Sequence, residues 1–203
     1  MSFLKQLVEN YGGEVSSTLS NKLDIPETQA SEMLPKIAPL ILGGLAAKAQ
    51  KNGPESVSEV IDQHGNEQAL DNVEESMVQG EEQSADILQS LMGGGMAGLL
   101  GGGGLGGLLG GGSGGGGGIV GQILGQHLDI DGDKAMKTVS MLAPILLGAL
   151  AKTKKEAEGD GMKAVLQILD EDGDGNAIND LAAKFLGGGG LGGALGGIFG
   201  GNK

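Results

Sequence analysis

The 203-residue chain contains no cysteine, no tryptophan and no arginine. Without cysteine there can be no disulfide, no thiolate metal site and no cysteine nucleophile, and the redox state of the compartment leaves no mark. Without arginine, the bidentate forks that read phosphates and base edges are missing. Its 13 basic residues face 26 acidic ones, a formal net charge of −13. Nucleic acid is therefore not an expected partner; the acidic balance favours solubility and cation binding. Aromatic residues are almost absent, only Phe3, Tyr11, Phe185 and Phe199. The core must then be built from Leu, Ile, Val, Met and Ala, which suits small packed helices better than a sheet.

What is abundant is glycine, 43 residues, of which 18 fall between Gly93 and Gly118 and 10 between Gly187 and Gly201. Such tracts bring too little side chain to offset the backbone entropy of ordering them. The foldable remainder is about 160 residues in two blocks. The amino-terminal stretch, Met1 to Glu9, is amphipathic and charged, without the apolar run and cleavage site of a secretory signal. It is read as a first helix, and the expected location is cytoplasmic.

The two blocks align with each other. Setting residue 23 over residue 128 matches Leu23-Asp24-Ile25 with Leu128-Asp129-Ile130, Ala30 with Ala135, and Ala38-Pro39 with Ala143-Pro144. Leu42-Gly43 and Leu45-Ala46 then fall on Leu147-Gly148 and Leu150-Ala151, ten identities in 24 positions. After a three-residue shift, Asp62, Gly65, Ala69, Leu70 and Val73 meet Asp170, Gly173, Ala177, Ile178 and Leu181. Two copies of one supersecondary unit are the economical reading. The expected fold class is all-α, two copies of a small helical unit joined by a glycine-rich tract. The first unit spans 1–92, the Gly/Leu-rich linker 93–118, the second unit with an acidic loop 119–186, and the tail 187–203.

Ala30, Leu34, Ile37, Ile41 and Leu45 recur every three or four residues, an apolar stripe on a helix opening near Pro26. Pro35 predicts a break and Pro39 a kink; Ser140 replaces Pro35 in the second block, leaving only the kink at Pro144. Helix is also predicted over 3–22, interrupted at Gly12-Gly13, and over 54–62, 67–78, 82–92, 119–128, 161–169 and 177–186. The apolar runs 37–47 and 139–151 are too short to span a bilayer, which needs about 20 residues, and are read as buried core helices.

The repeated signature is Leu-Asp-Ile, then Ala, then Ala-Pro-x-x-Leu-Gly-x-Leu-Ala, with Leu-Asp-Glu-Asp-Gly-Asp-Gly-Asn-Ala-Ile at 169–178. It resembles the YidB-like bacterial domain-of-unknown-function family numbered 937. The resemblance covers both blocks and excludes the glycine tracts. It implies a helical bacterial protein and brings no activity, substrate or catalytic residue with it. The first block departs from the acidic part of the pattern.

The sharpest chemical feature is Asp170-Glu171-Asp172-Gly173-Asp174-Gly175-Asn176. Carboxylates at alternate positions of a tight glycine-containing turn converge on one point, as the six to eight oxygens around calcium require. Asp170, Asp172 and Asp174 would bind through side chains and Asn176 through its carbonyl. The closing position is Leu181, so Asp180, one residue early, would have to complete the set. The competing reading is a solvated turn whose aspartates cap the next helix. The corresponding loop of the first block, 62–67, has lost the charge and is read as a plain turn. Asp129, Asp131 and Asp133 also alternate, but Lys134 stands where a loop glycine belongs, and they are read as N-caps. The two histidines, His64 and His127, lie in no metal or catalytic motif, and no nucleophile or cofactor motif is present. Lys152, Lys154 and Lys155 end a helix, where they complement its dipole.

The glycine tracts are uncharged and carry Leu99, Leu100, Leu105, Leu108 and Leu109, then Leu191, Leu195, Ile198 and Phe199. A pure spacer would use serine or charge between glycines. Such tracts can serve as flexible linker and tail, pack on the helices, self-associate or touch lipid. The expected function is a non-enzymatic interaction, scaffold or self-assembling module with one candidate calcium loop. The alternative is an envelope protein contacting lipid through its tracts, which the acidic charge disfavours.

Overall fold

The computed structural model describes residues 3–91, 121, 124–126, 128–157 and 159–169. The glycine tracts and the acidic loop 170–180 lie outside the described residues. Among those described, every regular element is helical. In chain order they are α1 (Phe3–Leu23), α2 (Glu27–Asn52), α3 (Pro54–His64), a 3-10 turn (Glu67–Leu70), α4 (Val73–Glu82), α5 (Ser84–Leu91), α6 (Gly132–Glu156) and α7 (Gly161–Leu169). Gly121, 124–126 and Leu128 are helical as well.

α1 runs unbroken through Gly12-Gly13, where an interruption was expected. Each glycine costs a helix about 1 kcal/mol relative to alanine. That is outweighed by Leu7, Val15, Leu19 and Leu23, all buried where α1 packs along α2. α1 ends on Asp24 at φ 51°, with the Ile25 amide donating back to the Ser20 carbonyl. This is the six-residue closure of a Schellman turn, normally made on glycine. The aligned residue Asp129 has φ 57°, and the Ile130 amide donates to the Gly125 carbonyl. These two aspartates are the non-glycine residues with positive φ among the described ones.

α2 is also continuous, so the predicted break at Pro35 does not occur. Pro35 is exposed and Pro39 half-exposed, on the outer face of the helix. Carbonyls that lose their donor to a proline there can turn to water, and outward tilt of carbonyls fits a helix wrapping its core. Ala30, Met33, Leu34, Ile37 and Ile41 are buried on the inner side, and from Leu40 through Ala47 the helix is buried all round. The expected segment 67–78 is divided: the 3-10 turn begins under Asn66, whose Oδ1 accepts from the Gln68 amide at 3.0 Å, and α4 starts at Val73, after two intervening residues.

α6 is the centre of the molecule. It contacts α1, α2, α3, the 3-10 turn, α4, α5 and α7, and every residue from Thr138 to Leu150 is buried. Its N-cap is Asp131, whose Oδ1 accepts from the Asp133 amide at 2.9 Å. The hydroxyls of buried Thr138 and Ser140 donate to carbonyls one turn back, Lys134 and Met136, so neither is left without a partner. α6 is long and apolar enough to cross a bilayer, yet 83% of its most apolar window is buried inside the protein. Residues of both aligned blocks enter one hydrophobic core, with Leu34, Ile41, Leu45, Leu142, Leu146 and Leu150 among its members.

Candidate functional site

The seam between α6 and the stretch running from the end of α3 through α4 is built on glycines. Gly80 of α4 lies against Ser140 and Pro144 of α6; a β-carbon on Gly80 would stand 2.7 Å from Pro144 Cγ and closer still to the Ser140 carbonyl oxygen. Pro144 has no amide hydrogen, so that carbonyl lacks its intrahelical donor. The bare Cα of Gly80 lets the two backbones meet there, with room for a weak C–H···O contact. Gly65 lies as close to the Leu147 carbonyl, with a would-be β-carbon 2.6 Å from the oxygen. Gly148 in turn faces Asn66 and Ala69, where a would-be β-carbon would stand 2.6 Å from the Asn66 carbonyl oxygen and 3.3 Å from the Ala69 methyl. Ion pairs flank the seam: Lys137 to Glu81 at 3.2 Å, Lys154 to Asp62 at 2.6 Å and Lys155 to Glu67 at 3.1 Å. Lys154 also donates to the Ser58 hydroxyl.

A cavity of about 400 Å³ opens beside this seam, over Gly80, Ile87 and Pro144. Its walls come from the end of α3, the following turn, α4 and the start of α5. They carry the carboxamides of Gln63, Asn66, Gln79 and Gln83, with Ser76 and His64. Such a lining offers neutral donors and acceptors; its one carboxylate, Asp62, is committed to Lys154. The cavity is suited to uncharged, hydrogen-bonding groups.

His64 is half-buried, its Nε2 3.1 Å from the Ser90 hydroxyl. Burial holds its pKa below the usual histidine range; the Asp86 charge opposes this and Lys48 adds to it. Lys48 Nζ also donates to the Ser90 carbonyl at 2.9 Å. A neutral histidine on a serine hydroxyl is the first half of a nucleophilic pair, which would need a carboxylate orienting the other ring nitrogen. Among the described residues no carboxylate hydrogen-bonds His64. The contact joins the ends of α3 and α5.

The residues singled out in the sequence are distributed as follows. Asp170, Asp172, Asp174, Asn176 and Asp180 lie outside the described residues, which end at Leu169 in α7. His127 is outside them too. Asp131 caps α6, and Asp129 makes the left-handed turn before it. The loop 62–67 is a turn, with Asp62 and Glu67 paired to lysines of α6 and Asn66 capping. Lys154 and Lys155, read as complements of the helix dipole, thus also bind acidic side chains of the first block. Sequence reasoning missed Gly65, Gly80 and Gly148. The available signal was their position: Gly80 is a lone glycine in a glutamate-rich helix, and Gly148 aligns with Gly43.

No curated protein and no solved structure matches the chain. The sequence model of a family described as "Bacterial protein of unknown function (DUF937)" matches residues 5–153 and, in a second overlapping match, 125–203. Together these span nearly the whole chain, and the protein belongs to that bacterial family of unknown function.

Proposed function

We propose that this protein is a non-enzymatic interaction module: two related helical units paired across one core, presenting the uncharged Gly/Leu tract 93–118 for assembly. The observation that carries the reading is the seating of the 3-10 turn and α4, from the first unit, on α6 of the second. The two left-handed aspartates, Asp24 and Asp129, at equivalent positions support a duplicated unit. So do the two overlapping matches to one family. The tract's five leucines, uncharged and spaced by glycine, suit weak contacts between chains.

Light scattering over a concentration series tests this on the intact chain and on a variant with Leu99, Leu100, Leu105, Leu108 and Leu109 changed to serine. The intact chain should gain mass with concentration and the variant should not. A strictly monomeric intact chain would refute assembly through the tract.

The second part of the proposal concerns the acidic loop. Asp170, Asp172, Asp174, Asn176 and Asp180 would together bind a calcium ion, weakly, because Leu181 occupies the closing position. Calorimetric titration should show saturable heat that Asp172→Ala with Asp174→Ala removes; no heat on the intact chain would reduce the loop to a turn.

A further inference from the structure

α4 sorts its outward positions by charge. Glu74, Glu75 and Glu82 are exposed, and Glu81 pairs with Lys137. Ser76, Gln79 and Gln83 carry no charge, and with Gly80 they recur at three, four and seven residues, one face of the helix. That face lines the cavity of about 400 Å³ beside the seam. In a chain of net charge −13, a face that served only solvation would have no reason to exclude glutamate.

The other lining carboxamides, Gln63 and Asn66, come from the end of α3 and the turn after it. Between these elements the floor is buried and apolar, with Ala69, Ile87 and Pro144. The turn sits on α6 at Leu147 and α4 sits at Ser140 and Pro144, so the two lining elements are separated by about 5–10 Å along that helix. Hydrogen-bonding capacity remains on both. Gln63 and Gln79 donate one amide hydrogen each, to Glu59 and Glu75, and keep their carbonyl oxygens. Asn66 accepts from the Gln68 amide and keeps its own amide group. Gln83 and the Ser76 hydroxyl make no side-chain hydrogen bond among the described residues.

We infer that this cavity binds the main chain of an extended, uncharged peptide segment of a partner protein, about three residues at a time. The spacing selects this ligand. Gln79 and Gln83 stand one helical turn apart, about 6 Å along the axis. In an extended peptide, residues two apart are separated by about 6.6 Å and turn their N–H and C=O groups to the same edge. A carboxamide offers a donor and an acceptor together, so each glutamine can pair with both groups of one residue. The residue between them turns its polar groups to the opposite edge, where Gln63 and Asn66 supply an acceptor and a donor. Side chains then alternate between solvent and the floor, and those facing the floor must be small or apolar. A helix, about 10 Å across with its side chains, is too wide for the space. A charged segment finds no counter-charge, since Asp62 is held by Lys154.

This site uses no residue of the tract 93–118. Its failure would leave assembly through the tract standing, and the reverse.

The test follows the side-chain amide signals of the full-length chain, labelled with ¹⁵N, by nuclear magnetic resonance. The probe is acetyl-Ser-Val-Ser-Val-Ser-amide, which is neutral at both ends. Saturable shifts are expected at Asn66, Gln79 and Gln83, with a midpoint that salt does not move. Gln79→Ala with Gln83→Ala should weaken binding about tenfold or more, because peptide groups buried in the cavity lose their partners. Both side chains are exposed, so thermal melting should show the variant folded. Versions of the peptide N-methylated at the valines or at the serines, which lack donors, should bind comparably weakly. Absence of saturable shifts at these three residues would overturn the inference. So would undiminished binding of both N-methylated peptides, which would mean side-chain contact alone, or undiminished binding by the double variant. Maltotriose shifting the same signals where the peptide does not would replace the peptide with a neutral saccharide.

Discussion

Gly80 of α4 lies against Pro144 of α6, and each makes the other's presence tolerable. Pro144 strips Ser140 of its helical donor; Gly80 brings a Cα hydrogen where a side chain would collide. The contact joins parts of the chain more than 60 residues apart and fixes α4 on α6.

Gly80→Ala should therefore destabilise the protein although alanine is the better helix former. The β-carbon would meet a backbone carbonyl and a proline ring, neither able to swing away, and overpacking of this kind costs about 1–3 kcal/mol. That exceeds the helical gain of about 1 kcal/mol. Gly13→Ala, in α1 with nothing within 4 Å of its would-be β-carbon, should instead stabilise by up to about 1 kcal/mol. Urea denaturation of the two variants checks the opposite signs; stabilisation by Gly80→Ala would mean α4 does not sit on α6 as described.

The Lys154–Asp62 pair should contribute little by itself. Lys154 is 26% exposed but Asp62 is 63% exposed, so water screens the attraction. A double-mutant cycle with Lys154→Met and Asp62→Asn should give a coupling of about 0.2–1 kcal/mol, shrinking at high salt. A coupling of several kcal/mol that ignores salt would show the pair to be far less hydrated.

His64 makes stability depend on pH with a defined sign. Its pKa in the folded chain is lowered, chiefly by burial, from the ordinary value of 6.5. As pH falls through that value the unfolded chain takes up the proton first. His64's contribution is thus complete above about pH 6.5 and declines below it, levelling off once the folded pKa is passed. In His64→Gln the thermal midpoint should fall less steeply between neutral and mildly acidic pH than in the unaltered chain. Identical slopes would mean that His64 titrates alike in both states.

Much of the helical layout was legible because the apolar spacing of three and four is strong: the helix of the Ala-Pro signature and the segment 161–169 stand where the pattern puts them. The misplaced interruptions came from weighing local propensity alone. Gly12 and Gly13 cost α1 little against its buried leucines, and Pro35 sits on an exposed face where its penalty is smallest. The seam was not legible, because nothing local to Gly65 or Gly80 says which carbonyl lies opposite. The lysines of α6 were read against their own helix dipole for the same reason: Asp62 and Glu67 are distant in sequence and near only after folding. The acidic loop was conspicuous by composition, while its role depends on what it faces.

The central claim, that the 3-10 turn and α4 seat on α6, is tested most directly by a link across the seam. Glu67→Cys with Lys155→Cys places two thiols where the native side chains approach to 3.1 Å. Treated with a short bis-maleimide at low concentration, the full chain should give an intrachain link in high yield that disappears on unfolding in urea. No link in the folded chain, or links only between chains, would contradict the account.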